Sequence, residues 1–156
     1  GRPEVLFVGV DADPTRMRRA SRHAPANAIF VVAAAENLPA ELVGTVSELT
    51  AHFPWGSLLQ ALVAPSPTVL DSVGRVLRPG ARLTALLSIT ERDGRTPLHA
   101  GSIDRAAYDG HGLQVLEWRR ATPAEIVASD SSWAKRLRAS EAREVWTLRA
   151  RRSGCA

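Results

Sequence analysis

Glu4-Val5-Leu6-Phe7-Val8-Gly9-Val10-Asp11-Ala12-Asp13-Pro14 is the stretch whose reading decides the fold. Its first seven residues form an almost unbroken apolar run, the pattern of a parallel strand buried on both faces. The run ends in carboxylates, and Pro14 suits the first turn of a helix capped by Asp13. Working outward, that helix is expected over Thr15–His23, and Ala28–Ala33 is a second buried strand followed by a short helix from Pro39. Leu49–His52 reads as a third strand running into the loop Phe53-Pro54-Trp55-Gly56, with a helix beginning near Ser57. A further helix, Thr68–Leu77, stops at Arg78-Pro79-Gly80, and Arg82–Ile89 is a fourth strand. Asp104–Asp109 is a weak helix. Leu113–Arg119 and Glu144–Arg149 form a closing antiparallel pair, joined by a long excursion that carries Ser131-Ser132-Trp133. Strands alternating with helices predict an α/β, doubly wound, mostly parallel sheet in one domain over residues 1–152, with 153–156 as a tail. Such sheets bind ligands at the carboxyl ends of their strands. Asp11, Ala35-Glu36, Phe53-Pro54-Trp55 and the region after Leu87 all fall there.

With 156 residues, 45% of them apolar, the chain is long enough to bury a core and too apolar for a disordered tail. No apolar run approaches the roughly 20 residues that span a bilayer, and no signal peptide is recognisable, so a soluble cytoplasmic protein without membrane contact is expected. The single Cys155 excludes a disulfide framework and a cysteine-based zinc site. The four histidines share no metal-ligand spacing, so no metal is expected. Basic residues number 20 against 16 acidic, and only Lys135 among them is a lysine. A GC-rich genome explains part of that arginine bias. The placement of the arginines adds a second reading. Arg16, Arg18, Arg19 and Arg22 crowd one stretch beside His23, and a second group runs from Arg119 to Arg152 through Lys135, Arg136, Arg138, Arg143 and Arg149. Clustered guanidinium groups suit phosphate, and with it nucleic acid.

Three places carry chemistry. Asp11, at the end of a buried strand, can accept both ribose hydroxyls of a bound nucleoside; the alternative is that it caps the next helix, the role Asp13 fits better. In Ala34-Ala35-Glu36-Asn37-Leu38-Pro39, small side chains let an adenine ring lie against backbone while Glu36 reaches its amine; the alternative is an ordinary cap before Pro39. Trp55, following a proline at the mouth of the site, is a stacking platform for a base taken out of its helix. Trp133 offers a second face, whereas Trp118 and Trp146 lie within strands and belong to the core. His52 reads as a structural hydrogen-bonding residue. No Ser/His/Asp arrangement or carboxylate pair suggests hydrolysis.

In these segments the chain resembles the 16S rRNA (adenine(1408)-N(1))-methyltransferases, aminoglycoside-resistance enzymes with a Rossmann-like class I methyltransferase fold. The matching stretches are Val8–Asp11, Val31–Leu42, Phe53–Leu59, Leu77–Arg82 and Ser131–Leu137, in the family's order. The Pro-Gly stretch is generic, while Ala-Ala-Ala-Glu, Phe-Pro-Trp-Gly-Ser-Leu-Leu and Ser-Ser-Trp are specific. The resemblance implies that S-adenosylmethionine lies across Asp11, Ala35 and Glu36, with Phe53 and Pro54 beside it. It implies a target adenine flipped between Trp55 and Trp133 near Ser131. It also implies rRNA contacts from Arg16, Arg18, Arg19, Arg22, Lys135, Arg136 and Arg143, on a monomer acting on the 30S subunit. The first strand here matches the family's second, so the family's first strand, Gly-rich cofactor turn and first helix are expected to be missing. The basic loop after the first helix is shortened to Arg22–Asn27, and Ser88–Asp104 matches weakly. Two other readings stand beside this one: a small-molecule methyltransferase on the same fold, and an inactive truncated remnant.

Overall fold

The computed structural model describes residues 4–89, 96–130 and 144–154. Strand β1 (Phe7–Asp11) passes into α1 (Pro14–Ser21), and β2 (Ala28–Val32) returns parallel to β1 with Phe7 opposite Ala28 and Asp11 opposite Val32. Two single turns of 3-10 helix, Ala35–Asn37 and Ala40–Leu42, replace the short helix expected from Pro39. Then follow β3 (Val46–His52), α2 (Gly56–Val63), α3 (Pro67–Val76), β4 (Leu77–Leu87), α4 (Arg105–Gly110), β5 (Leu113–Arg120), α5 (Pro123–Ala128) and β6 (Trp146–Arg152). The expected alternation of strand and helix is present, with a parallel β3–β4 pair and an antiparallel β5–β6 pair.

Three details differ from the sequence reading. First, the strands form two sheets, β1-β2 and β3-β4-β6-β5. Leu6 and Phe7, read as buried, are accordingly more than half exposed. Second, β6 inserts between β4 and β5. Third, β4 begins at Leu77, before the expected Arg82, with a register shift that moves the partner of Val46 at Leu77 to a partner of Glu48 at Arg82. Pro79 has no N–H to give the ladder and Gly80 takes a left-handed φ of 79°, so the chain bulges there and pairing resumes beyond it.

The core lies under the four-stranded sheet, where Leu70, Leu83, Leu87, Leu113 and Leu148 are fully buried. Tyr108 is buried with them and its hydroxyl donates to the Leu62 carbonyl at 2.7 Å, which ties α4 to α2. Trp118 and Trp146 are core residues as read, stacked with ring centroids 4.8 Å apart. In the smaller sheet Gly9 admits the Phe30 ring: a Cβ at Gly9 would meet that ring at 2.7 Å.

Candidate nucleoside and target-base site

Each wall of the site begins where a strand stops. At the end of β1, Asp13 caps α1, its Oδ1 accepting from the backbone N–H of Thr15 at 2.8 Å and of Arg16 at 3.4 Å. That leaves Asp11 for another task. Its Oδ1 accepts from the Asp13 N–H at 2.8 Å, while Oδ2 faces Arg16 at 3.9 Å. The carboxylate is therefore oriented by its own turn and partly exposed, so a ligand hydroxyl can reach it.

After β2, the Ala35–Asn37 turn is held from behind. The Leu38 N–H donates to Ser72 Oγ at 3.1 Å, and Arg75 donates to the Leu38 carbonyl at 3.2 Å. Buried Leu38 thus fastens this turn to α3, and Ala35 packs against the main core. Glu36 lines an open cleft of about 320 Å³ together with Ser57, Gln60 and Ser66.

Past β3 the chain turns sharply. Phe53 has φ 52°, a left-handed conformation that costs a non-glycine residue energy. Its N–H donates to the Leu86 carbonyl at 2.8 Å, and its side chain is buried in a small core with Leu86 and Val145, against which Ala121 and Ile126 pack. Phe53 can thus offer the site only backbone. Trp55 follows, 62% exposed, and the Arg16 guanidinium sits over its ring at 4.8 Å from the centroid. Arg16 also pairs with Asp13 at 3.3 Å. One side chain therefore bridges the Asp11 corner and the Trp55 platform, a link the sequence reading missed when it assigned Arg16 to RNA. The contact also shows that this ring face accepts a planar cation.

His52 is exposed at the surface, yet protein around its ring holds its pKa below the ordinary histidine value; a hydrogen bond to the Ser129 backbone works the other way. This agrees with its structural reading. Ser131, Trp133, Lys135, Arg136 and Arg143 lie outside the described residues. Among the described residues no cluster of His, Cys, Asp or Glu could hold a metal ion, and no helix is long and apolar enough to cross a membrane.

The two arginine clusters differ. Arg18, Arg19 and Arg22 are exposed on or just after α1. The second group is a correction to the compositional reading, because much of it is engaged within the protein. Arg120 pairs with Glu144 at 2.5 Å, and Arg152 donates to the His111 carbonyl at 2.8 Å. Arg119 meets Glu125 through both carboxylate oxygens at 2.9 Å, and Arg149 reaches Glu125 at 2.7 Å and Glu117 at 3.1 Å. Hydrogen bonds from Arg119, the largest cause, and from the Thr122 backbone and hydroxyl hold the Glu125 carboxyl at about 2, well below its ordinary 4.5, against the opposing effect of burial. A depressed carboxylate pKa stabilises the fold above the unfolded value and is lost as pH falls through the folded one. The thermal midpoint is therefore expected to decline between about pH 4.5 and pH 2. In Glu125→Gln that decline should be shallower, and an unchanged pH profile would contradict the assignment.

The family model described as NpmA, 16S rRNA (adenine(1408)-N(1))-methyltransferase, matches residues 1–152. A 16S rRNA (adenine(1408)-N(1))-methyltransferase of Streptoalloteichus hindustanus is 34% identical over 159 aligned residues, which cover 90% of this chain and 73% of that protein. The crystal structure of the 16S rRNA methyltransferase KamB superposes with a TM-score of 0.80 at 30% identity, covering 97% of this chain and 79% of that one. A variant of the Catenulisporales acidiphilia 16S rRNA (adenine(1408)-N(1))-methyltransferase, solved with its cosubstrate SAM, gives 0.83 at 27% identity, with 97% and 77% covered.

Proposed function

The chain belongs to the 16S rRNA (adenine(1408)-N(1))-methyltransferase family, and from that premise we propose that it methylates N1 of an adenine in the 16S rRNA decoding site and so confers aminoglycoside resistance. We place its action on the 30S subunit, as a monomer in the cytoplasm. The observation that carries the reading is the meeting of Asp11, Arg16 and a Trp55 that is 62% exposed. A tryptophan left that open at the end of a sheet strand is a surface for something planar.

The donor set fits S-adenosylmethionine. Asp11 would hold the ribose hydroxyls, and the Ala35–Glu36 turn and the backbone of Phe53 and Pro54 would hold the adenine end. The cofactor supplies a methyl group already activated on a sulfonium. The protein's own task is alignment. Adenine N1 carries a free lone pair, so no side chain has to take a proton before attack, and none in the described site is arranged to do so. Trp55 holds the target base flat. Methylation at N1 leaves that ring positively charged, and an indole face attracts a cation more than a neutral ring, so the platform favours the transition state over the bound substrate. Ser131 and Trp133 would complete the base pocket, with Arg136 and Arg143 on phosphate.

The exposed arginines of α1 separate this reading from a small-molecule methyltransferase. Replacing Arg18, Arg19 and Arg22 together with alanine is expected to weaken 30S binding and lower the slope of log affinity against log salt by about 2–3, since each phosphate contact contributes roughly 0.7–0.9. A salt slope that does not move would favour the small-molecule reading.

A further inference from the structure

Glu125 is the most heavily hydrogen-bonded carboxylate among the described residues, and nothing in the proposed chemistry uses it. It accepts from Arg119 of β5, from Arg149 of β6 at 2.7 Å, and from its own N-cap Thr122, through the N–H at 2.8 Å and the hydroxyl at 3.1 Å. Thr147 Oγ1 approaches at 3.4 Å. The side chain is 18% exposed, and its two guanidinium partners come from adjacent strands of the sheet. This helix of six residues buries no residue of its own, so packing alone does not explain why it is held.

What α5 touches gives the hub a purpose. Ile126, the next residue, packs against the small core formed by Phe53, Leu86 and Val145. Three residues further, the Ser129 backbone meets His52, immediately before Phe53. Phe53 and Asp130 are the non-glycine residues with positive φ among those described, at 52° and 43°. Two strained corners thus stand at the two ends of one contact. One leads to Trp55, and from the other the chain leaves toward Ser131.

We propose that Glu125 is a positioning residue for target-base binding: it fastens α5 to β5 and β6, and through Ile126 and the small core that holds Phe53 that helix fixes the Trp55 corner and the Asp130 corner as one unit. This rests on the reading that Trp55 stacks the target base. Glu125 touches no substrate in this scheme.

Hydrogen–deuterium exchange on the full chain tests the coupling without needing activity. In Glu125→Gln, which keeps an acceptor for the Thr122 cap but removes the charge, amides of 124–130 and of Phe53–Leu59 are expected to exchange roughly tenfold faster, while those of β6 stay protected. Ile126→Ala, which attacks the same link from its apolar side, should give the same two-site pattern. Faster exchange confined to 122–126, or spread evenly over the chain, would overturn the proposal. With 30S subunits as substrate, Glu125→Gln should raise KM roughly tenfold; an unchanged KM also overturns it. If the parent chain neither binds nor methylates 30S subunits, the functional reading fails, and the exchange pattern still decides whether Glu125 couples the two corners.

Discussion

Trp55→Ala is expected to lower methyl transfer to 30S subunits by roughly tenfold to a hundredfold, the loss of one base–aromatic stack, with S-adenosylmethionine affinity unchanged. The indole is 62% exposed and belongs to neither core cluster, so its removal should cost little stability. Stability and activity are thus separable at this position, which is unusual for a tryptophan. Because the face interacts more strongly with the cationic methylated ring than with neutral adenine, kcat should fall as well as KM rise. Trp55→Phe should retain part of the rate. A variant that loses cofactor affinity instead would put the cofactor, and not the target base, on this face. Comparing Trp118→Ala makes the contrast sharp: that ring is buried and stacked on Trp146, and its loss should unfold the protein instead of selectively slowing it.

The second large effect is at Asp11. Asp11→Ala is expected to weaken S-adenosylmethionine binding roughly tenfold to a hundredfold, the usual cost of losing hydrogen bonds to a charged acceptor. Asp13→Ala should cost α1 about 1 kcal/mol as a lost N-cap and leave cofactor binding nearly intact. The sequence leaves ribose holding and capping open for Asp11. The structure gives the cap to Asp13 through Thr15 and Arg16. Calorimetry on the two variants divides the roles, and equal losses of affinity in both would show that Asp11 acts only through the turn. Asp11→Asn is informative as well: it keeps an acceptor for the Asp13 N–H but removes the charge that faces Arg16.

Much of the fold was legible because its signals are local. The apolar run before Asp11, Pro14 at a helix start and the capping carboxylate of Asp13 each act within one turn, and the structure places β1 and α1 there. Trp118 and Trp146 were recognisable as core from their positions in strands. What stayed hidden depends on neighbours distant in sequence. The exposure of Phe7 depends on which strand edges are paired, and periodicity does not report that. The place of β6 between β4 and β5 is a pairing choice of the same kind. Helix α5 does not stand out in the sequence although Thr122, Pro123 and Glu125 spell a capping box, because six residues carry too little apolar period to register. The arginines near the C-terminus misled for a related reason. Charge counts cannot tell Arg149, paired twice with carboxylates across the sheet, from Arg18, which faces solvent. At the site, Asp11, Glu36 and Trp55 could be picked out singly. Only the structure shows Arg16 joining two of them.

The most direct test of the central claim is methyl transfer from S-adenosylmethionine to purified 30S subunits, with the modified nucleotide mapped by reverse transcription, which halts at an adenine methylated on its base-pairing edge. A single new stop at the decoding-site adenine, strongly diminished in Trp55→Ala, is the predicted result. Methylation at any other nucleotide, or a stop of undiminished strength in Trp55→Ala, would contradict the account.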